Sequence, residues 1–199
     1  SCLTNATSNN FNILSAIAAG DILFLGYGTD GTTTDKFAFI AMNTIPEGTQ
    51  INFTDNYWSG TVLATSENTG VYTVPIGGLS KGSVVTIEGT TVTGGGSMSF
   101  ALEALSTSGD QILAYQGNSS NPVFIAGVSS TGWISSGIPT SNQSYLPSNL
   151  AINVNAVSFS SEEDNGYYNG PTTLANGALA SFISNSANWI RSTNIQTFP

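Results

Sequence analysis

Short runs in which apolar and polar residues alternate, each closed off by Gly, Asn, Pro or Ser, recur along the chain, while helical periodicity is scarce. A period of two places every second side chain on one face of an extended strand, so such runs read as β-strands with one buried face. Residues 49–54 alternate in this way, with Ile51 and Phe53 on one face, after a tight turn at Pro46, Glu47 and Gly48; residues 83–88 do the same. Residues 21–27 are denser in apolar side chains and read as a strand buried on both faces; residues 36–42 follow after a polar turn at 29–35. Residues 111–115 and 123–128 read as neighbouring strands across the turn-rich stretch 117–122. Residues 150–159 set Leu150, Ile152, Val154 and Ala156 against Asn153 and Asn155. Two segments read as short helices: 13–19, and 173–184, where Leu174, Ala178, Phe182 and Ile183 share a face. The three glycines at 94–96 read as a loop tip and the most flexible point of the chain. Seven or more short strands without a fixed repeat or a long linker predict one mostly-β domain. The expected architecture is an antiparallel β-sandwich, jelly-roll-like, over residues 20–199, preceded by an N-terminal extension at 1–19 that is a candidate inter-subunit segment.

Charge narrows the partners. Of 199 residues only 8% are charged, with 12 Asp and Glu against 3 Lys and Arg, for a net charge of −9. Nucleic acid and anionic membrane surfaces both require clustered basic side chains, so neither is an expected partner. Hard cations are compatible with this balance, above all Ca²⁺, which takes carboxylate and carbonyl oxygens. Keeping a charge-poor protein in solution is the plainer use of the same acidity. No stretch reaches the roughly 18 uninterrupted apolar residues of a membrane span, so no membrane insertion is expected. The chain begins at Ser1 and has few lysines, which together predict a processed, exported, extracellular or cell-surface protein.

The chemistry excluded is extensive. Histidine is absent, which removes Ser-His-Asp and Cys-His catalysis, His-ligated zinc and the commonest general base. Cys2 is the only cysteine, so no disulfide forms within the chain and no thiolate metal site can be built; a bridge between chains remains open to it. The glycine-rich stretch 77–83 does not match the phosphate-loop spacing and reads as a turn. Paired carboxylates are the surviving catalytic option. Glu162, Glu163 and Asp164 form the densest acidic cluster, and Glu88 or Glu103 could supply a second acid for a glycosidase centred on Glu163. Adjacent carboxylates in one loop do not provide the separation such an enzyme needs, and the expectation is a non-enzymatic protein.

Two signals remain. Acidic residues recur at predicted strand ends and in loops: Asp21, Asp55, Asp110, Glu163 and Asp164. Side chains there either bond nearby backbone amides to nucleate turns, or converge with free carbonyls on Ca²⁺. These five are the candidate metal ligands. Aromatic residues near turns are the second signal: Trp58, Trp133 and Tyr168 are candidates for stacking on sugar rings or anchoring an interface, against the alternative of capping the ends of the sandwich. Four N-x-[ST] sequons, at Asn5, Asn52, Asn118 and Asn142, matter only where N-glycans are made; Asn52 lies within a predicted strand.

Residues 20–60 carry the runs GD.LFLGYGTD and FTDN.W, 99–117 carry GDQILAYQG, 121–128 are NPVFIAGV, 164–173 carry DNGYYNG and 179–189 are LASFISNSANW. Together they resemble a secreted bacterial surface-protein domain, a non-catalytic module of large extracellular proteins, some of which also carry nuclease or phosphatase domains or sorting signals. The resemblance covers about residues 20–191 and implies an extracellular location and a modular, non-catalytic role. Asp21, Asp55, Asp110 and Asp164 fall on its motifs.

The reading that follows is a self-assembling extracellular subunit of a filament, sheath or surface layer, with other copies of itself as partner and bridging Ca²⁺ offsetting acidic repulsion. Cys2 and the apolar Phe11, Ile13 and Leu14 are the candidate intermolecular residues, donated to a neighbour's open sheet edge. The rival readings are a carbohydrate-binding adhesion module that uses Trp58, Trp133 and Tyr168 on extracellular glycans, and the Glu163-centred glycosidase.

Overall fold

The computed structural model describes residues 16–29, 34–102 and 105–194. Among these, twelve strands form two six-stranded sheets packed face to face as a β-sandwich, with one short helix and a 3-10 turn. The first sheet contains β1 (Ile22–Gly28), β2 (Lys36–Ala41), β5 (Val84–Glu88), β6 (Thr91–Thr93), β11 (Asn165–Tyr168) and β12 (Trp189–Ser192), in the order β12-β11-β1-β2-β5-β6. The second contains β3 (Gln50–Thr54), β4 (Thr69–Thr73), β7 (Ser97–Met98), β8 (Gln111–Asn118), β9 (Asn121–Ser129) and β10 (Ala156–Ser158), in the order β10-β9-β8-β3-β4-β7. Pairing is antiparallel except between β9 and β10, which run parallel.

The strands read from alternation form where expected, because each buries a row of large apolar side chains. Phe53 of β3 meets Phe37 at 4.8 Å, Phe39 at 5.3 Å and Phe24 at 6.0 Å between ring centroids, so one ring from the second sheet fills the space among three from the first. Truncating a ring held this way costs about 3–5 kcal/mol. β1 is buried along nearly its whole length, since its outer face is covered as well as its inner one. A second, smaller apolar cluster lies on the outer face of the second sheet, where Leu113, Tyr115, Phe124 and Ala156 pack against Leu63 and Leu150.

Four expectations need correction. Residues 150–155 do not extend: Val154, Asn155 and Ala156 all direct their N–H groups at the Ala151 carbonyl, and Asn155 takes the Ala151 N–H on its side chain at 2.7 Å. Asn153 adopts a left-handed φ of 65°, and Ile152 and Val154 point into solvent. Only Ala156–Ser158 pairs as a strand. No helix forms over residues 16–19, the part of the first expected helix within the described residues. Gly20 has φ of +90°, and the Asp21 carboxylate takes the Ala18 N–H at 2.6 Å, which closes a turn instead. Ile17, assigned to the N-terminal extension, is in fact buried in the core. The glycines at 94–96 pack closely rather than form a free tip: the Tyr72 hydroxyl donates to the Gly95 carbonyl at 2.8 Å, and a side chain at Gly96 would collide with the Tyr72 ring.

The second expected helix is α1 (Asn176–Ile183), which lies over the outer face of the first sheet. It buries Leu179 and Ile183 and leaves Phe182 turned outward. Trp189, just after it, donates its indole N–H to the Ile183 carbonyl at 2.7 Å and fixes the helix to β12.

Candidate functional site

Toward α1 the outward face of β1, β2 and β5 is mostly apolar, with Leu25, Ala38, Ile40 and Val84, and α1 covers only part of it. An open cleft of about 450 Å³ remains, floored by Leu25, Ala38, Ile40, Val84 and Thr86, walled by Leu174, Leu179 and Ile183, and bounded at one end by Met42 and Lys81. Its size falls within the range of ligand and peptide pockets. Lys81 is the charged side chain in its lining. Tyr168, one of the predicted ligand or interface residues, also lines the cleft; its hydroxyl is tied to the Pro171 carbonyl at 2.8 Å, so the ring presents its edge and face but not a free donor.

The carboxylates collect elsewhere. Gly28 pairs with both Lys36 and Asn165, and Lys36 with Glu88, so β1 ends where β2 and β11 begin and β5 ends. In the second sheet Thr54 pairs with Leu113, which puts the end of β3 beside the start of β8. These two ends coincide: the Asp35 carboxylate takes the Leu105 N–H at 2.7 Å, and Tyr27, Thr29 and Asp110 surround one void of about 10 Å³. One rim of the sandwich thus carries Asp35, Glu88, Glu162, Glu163 and Asp164 from the first sheet and Asp55, Glu67 and Asp110 from the second. The opposite rim holds Asp21, Glu47 and Lys81.

Within the acidic rim the deepest groups are Asp55 and Asp110, both almost fully buried. Asp110 accepts the Ser106 and Gln111 N–H groups at 2.9 and 2.8 Å, and Asp55 accepts the Asn68 N–H at 2.8 Å. Burial nevertheless dominates, pushing Asp110 up to about 8 and Asp55 up to about 6. Glu67, absent from the sequence reading, is pushed up to about 7 by burial and by the nearby Asp55, and its Oε2 is buried without a hydrogen-bond partner. Gln111 bridges the pair: its Nε2 donates to the Asp110 carboxylate at 3.1 Å, to the Ser141 carbonyl at 2.9 Å and to the Asp55 carbonyl. Nothing marked Glu67, which sits in a featureless polar stretch, whereas Gln111 was visible as part of the GDQ run.

The predicted metal ligands divide accordingly. Asp21 stands apart at the opposite rim, bonded to the Ala18 N–H and to the Asn43 side chain at 2.6 Å. Asp55 and Asp110 act chiefly as acceptors for backbone amides at their strand ends. Glu163 and Asp164 use their carbonyls to hold β1, taking the Tyr27 hydroxyl at 3.2 Å and the Thr29 N–H at 2.8 Å respectively. Among the described residues no three Asp, Glu, Cys or His side chains come together as a group able to hold a metal ion. Beside them Glu162 is raised by burial and by Asp164 and Glu163.

Trp58 and Trp133 lie on the outer face of the second sheet, on the far side of the molecule from the Tyr168 cleft. Trp58 packs edge-on against Phe124 at 5.1 Å, and Trp133 covers Gly127 while donating its indole N–H to the Val157 carbonyl at 3.0 Å. The three aromatics therefore form no common platform. Asn52, one of the sequons, is occupied in donating to the Tyr115 and Gly117 carbonyls at 3.2 Å each. Cys2, Phe11, Ile13 and Leu14 lie outside the described residues, as does Glu103.

Compared with models of protein families, with curated proteins and with solved structures, the chain matches none.

Proposed function

We propose that this protein is a non-enzymatic, extracellular structural module that assembles with copies of itself into a filament, sheath or surface layer. The observation that carries the reading is the separation of concavity from reactive chemistry. The 450 Å³ cleft is apolar, with Lys81 in its lining and no carboxylate, while of the carboxylates with raised pKa Asp110 alone lines a void, one of about 10 Å³ with room for no more than about one water. A catalytic site needs the two in one place; a docking surface needs only the first.

The surface-protein resemblance of residues 20–191 supports the extracellular location. Copies of a chain with net charge −9 repel one another, and Ca²⁺ taken between the acidic rims of two copies would relieve that repulsion. The test is sedimentation and electron microscopy of the purified protein with calcium and with a chelator. Ordered assemblies that weaken on chelation are the expected result; a monomer at every concentration and calcium level would rule the reading out.

A further inference from the structure

We propose that the side chains of Lys36 and Asn165 join in an amide cross-link that ties β2 to β11 across Gly28. The inference is independent of the assembly reading above, since the bond lies within one chain.

Strand register sets the two residues in one row. Gly28 of β1 lies directly opposite Lys36 of β2 on one side and Asn165 of β11 on the other. Residues opposite one another point to the same face of a sheet, so both side chains stand beside the bare glycine between them. A Cβ at Gly28 would lie 2.9 Å from Asn165 Oδ1, 3.1 Å from Lys36 Cε and 3.2 Å from Lys36 Cγ. The lysine stem therefore lies over the glycine and meets the carboxamide there, with Cε and Oδ1 no farther apart than the first two distances together. Gly28 does not have the left-handed φ that calls for glycine. A side chain at that position would instead fill the space in which the two groups meet.

The Asn165 carboxamide is turned to suit attack from the lysine side. Asn165 is fully buried, and its Nδ2 donates to the Ser192 and Asn194 carbonyls over long bonds of 3.4 and 3.2 Å. Its Oδ1, buried beside the lysine stem, accepts no hydrogen bond. An amide bonded only weakly through its nitrogen loses little when that nitrogen departs.

A lysine attacks a carbonyl carbon only as the neutral amine, so a base must first take its proton. Glu88 of β5 stands directly opposite Lys36 and brings a carboxylate to the row. The Lys36 ammonium gives this carboxylate one proton. Nζ then forms a bond to Asn165 Cγ while the Cγ–Nδ2 bond breaks. Nδ2 leaves as an ammonium ion, carrying one proton from Nζ and the one held by Glu88. No oxidant and no cofactor enters the balance. Cys2 is the only cysteine, so no disulfide braces this chain, and a bond between residues 36 and 165 would restrict its unfolded state in the same way.

The experiment is the intact mass of the purified full chain under denaturing conditions. The expected mass is that of the sequence less one ammonia, and proteolysis should yield one branched peptide containing both Lys36 and Asn165. Lys36→Arg, with thermal melting to verify its fold, is expected to show its own full sequence mass and no branched peptide. A wild-type chain at full sequence mass overturns the inference. So does an ammonia loss that persists in Lys36→Arg, which would come from succinimide formation at an Asn-Gly step such as Asn165–Gly166.

Discussion

Gln111 holds Asp110: its side-chain Nε2 lies 3.1 Å from the Asp110 carboxylate, while its own Oε1 is buried with no hydrogen-bond partner. An amide with all its donors engaged and its acceptor idle sits beside a carboxylate that burial holds up near 8. The acidic rim is therefore assembled at a cost that depends on protonation, and a pH dependence follows.

For Asp55, Glu67 and Asp110 the folded values of about 6, 7 and 8 exceed the ordinary 3.8, 4.5 and 3.8. The folded state therefore binds protons more tightly than the unfolded one, and stability falls as pH rises from about 4 to about 8. Tm measured by calorimetry should be highest on the acidic side of that window and decline through it. Glu67→Gln should flatten the decline between about pH 4.5 and 7, with little change below it. A Tm that rises from pH 5 to pH 8 would contradict this account.

Helix α1 is weakly capped. Ala175 occupies the N-cap position with no side-chain hydrogen bond, and no acidic residue stands in the first turn. Ala175→Asp should stabilise the protein by about 1 kcal/mol through a capping hydrogen bond and the helix dipole, read as a higher Tm. Leu179→Ala should do the reverse, costing about 2–5 kcal/mol, because that side chain seals one wall of the cleft.

Gly96 has φ of +88°, and an added Cβ would fall 2.5 Å from the Tyr72 hydroxyl and 2.6 Å from the Thr73 carbonyl. Gly96→Ala should cost about 1–3 kcal/mol from backbone strain alone, with the collision added to it. Denaturant titration checks this. A neutral result would restore the idea of a free loop tip.

Trp133 closes the second apolar cluster and ties β10 through its indole N–H. Trp133→Phe should lose about 1 kcal/mol for the missing hydrogen bond and leave glycan-array signals as they are. A specific glycan signal abolished by this change would favour the carbohydrate-binding reading instead.

β1 was legible from its dense apolar run, and β2, β3, β5, β8 and β9 from short apolar or alternating runs between turns, all backed by burial of Phe, Ile, Leu and Val. β4 and β11 were hidden. Gly70 and Gly166 interrupt the apolar pattern, so each strand shows one large core side chain, Tyr72 in β4 and Tyr168 in β11, and relies on pairing with β3 and β1 for the rest. The stretch 150–155 misled for the opposite reason: it has a strand's pattern, but its asparagines satisfy the backbone locally before a ladder can. Asp55 and Asp110 were recognisable as strand-end acids. That they lie at one rim with Glu67, and that Leu25, Val84 and Leu179 share a cleft, depends on strand order, which no local pattern encodes.

The unequal sharing of acids between the two rims makes the molecule an electric dipole. On a cationic support, or a layer of bound divalent ions, it would settle with the carboxylate end down. The Lys81 end of the cleft would then lie uppermost, so every adsorbed molecule would present that same end to the next arrival.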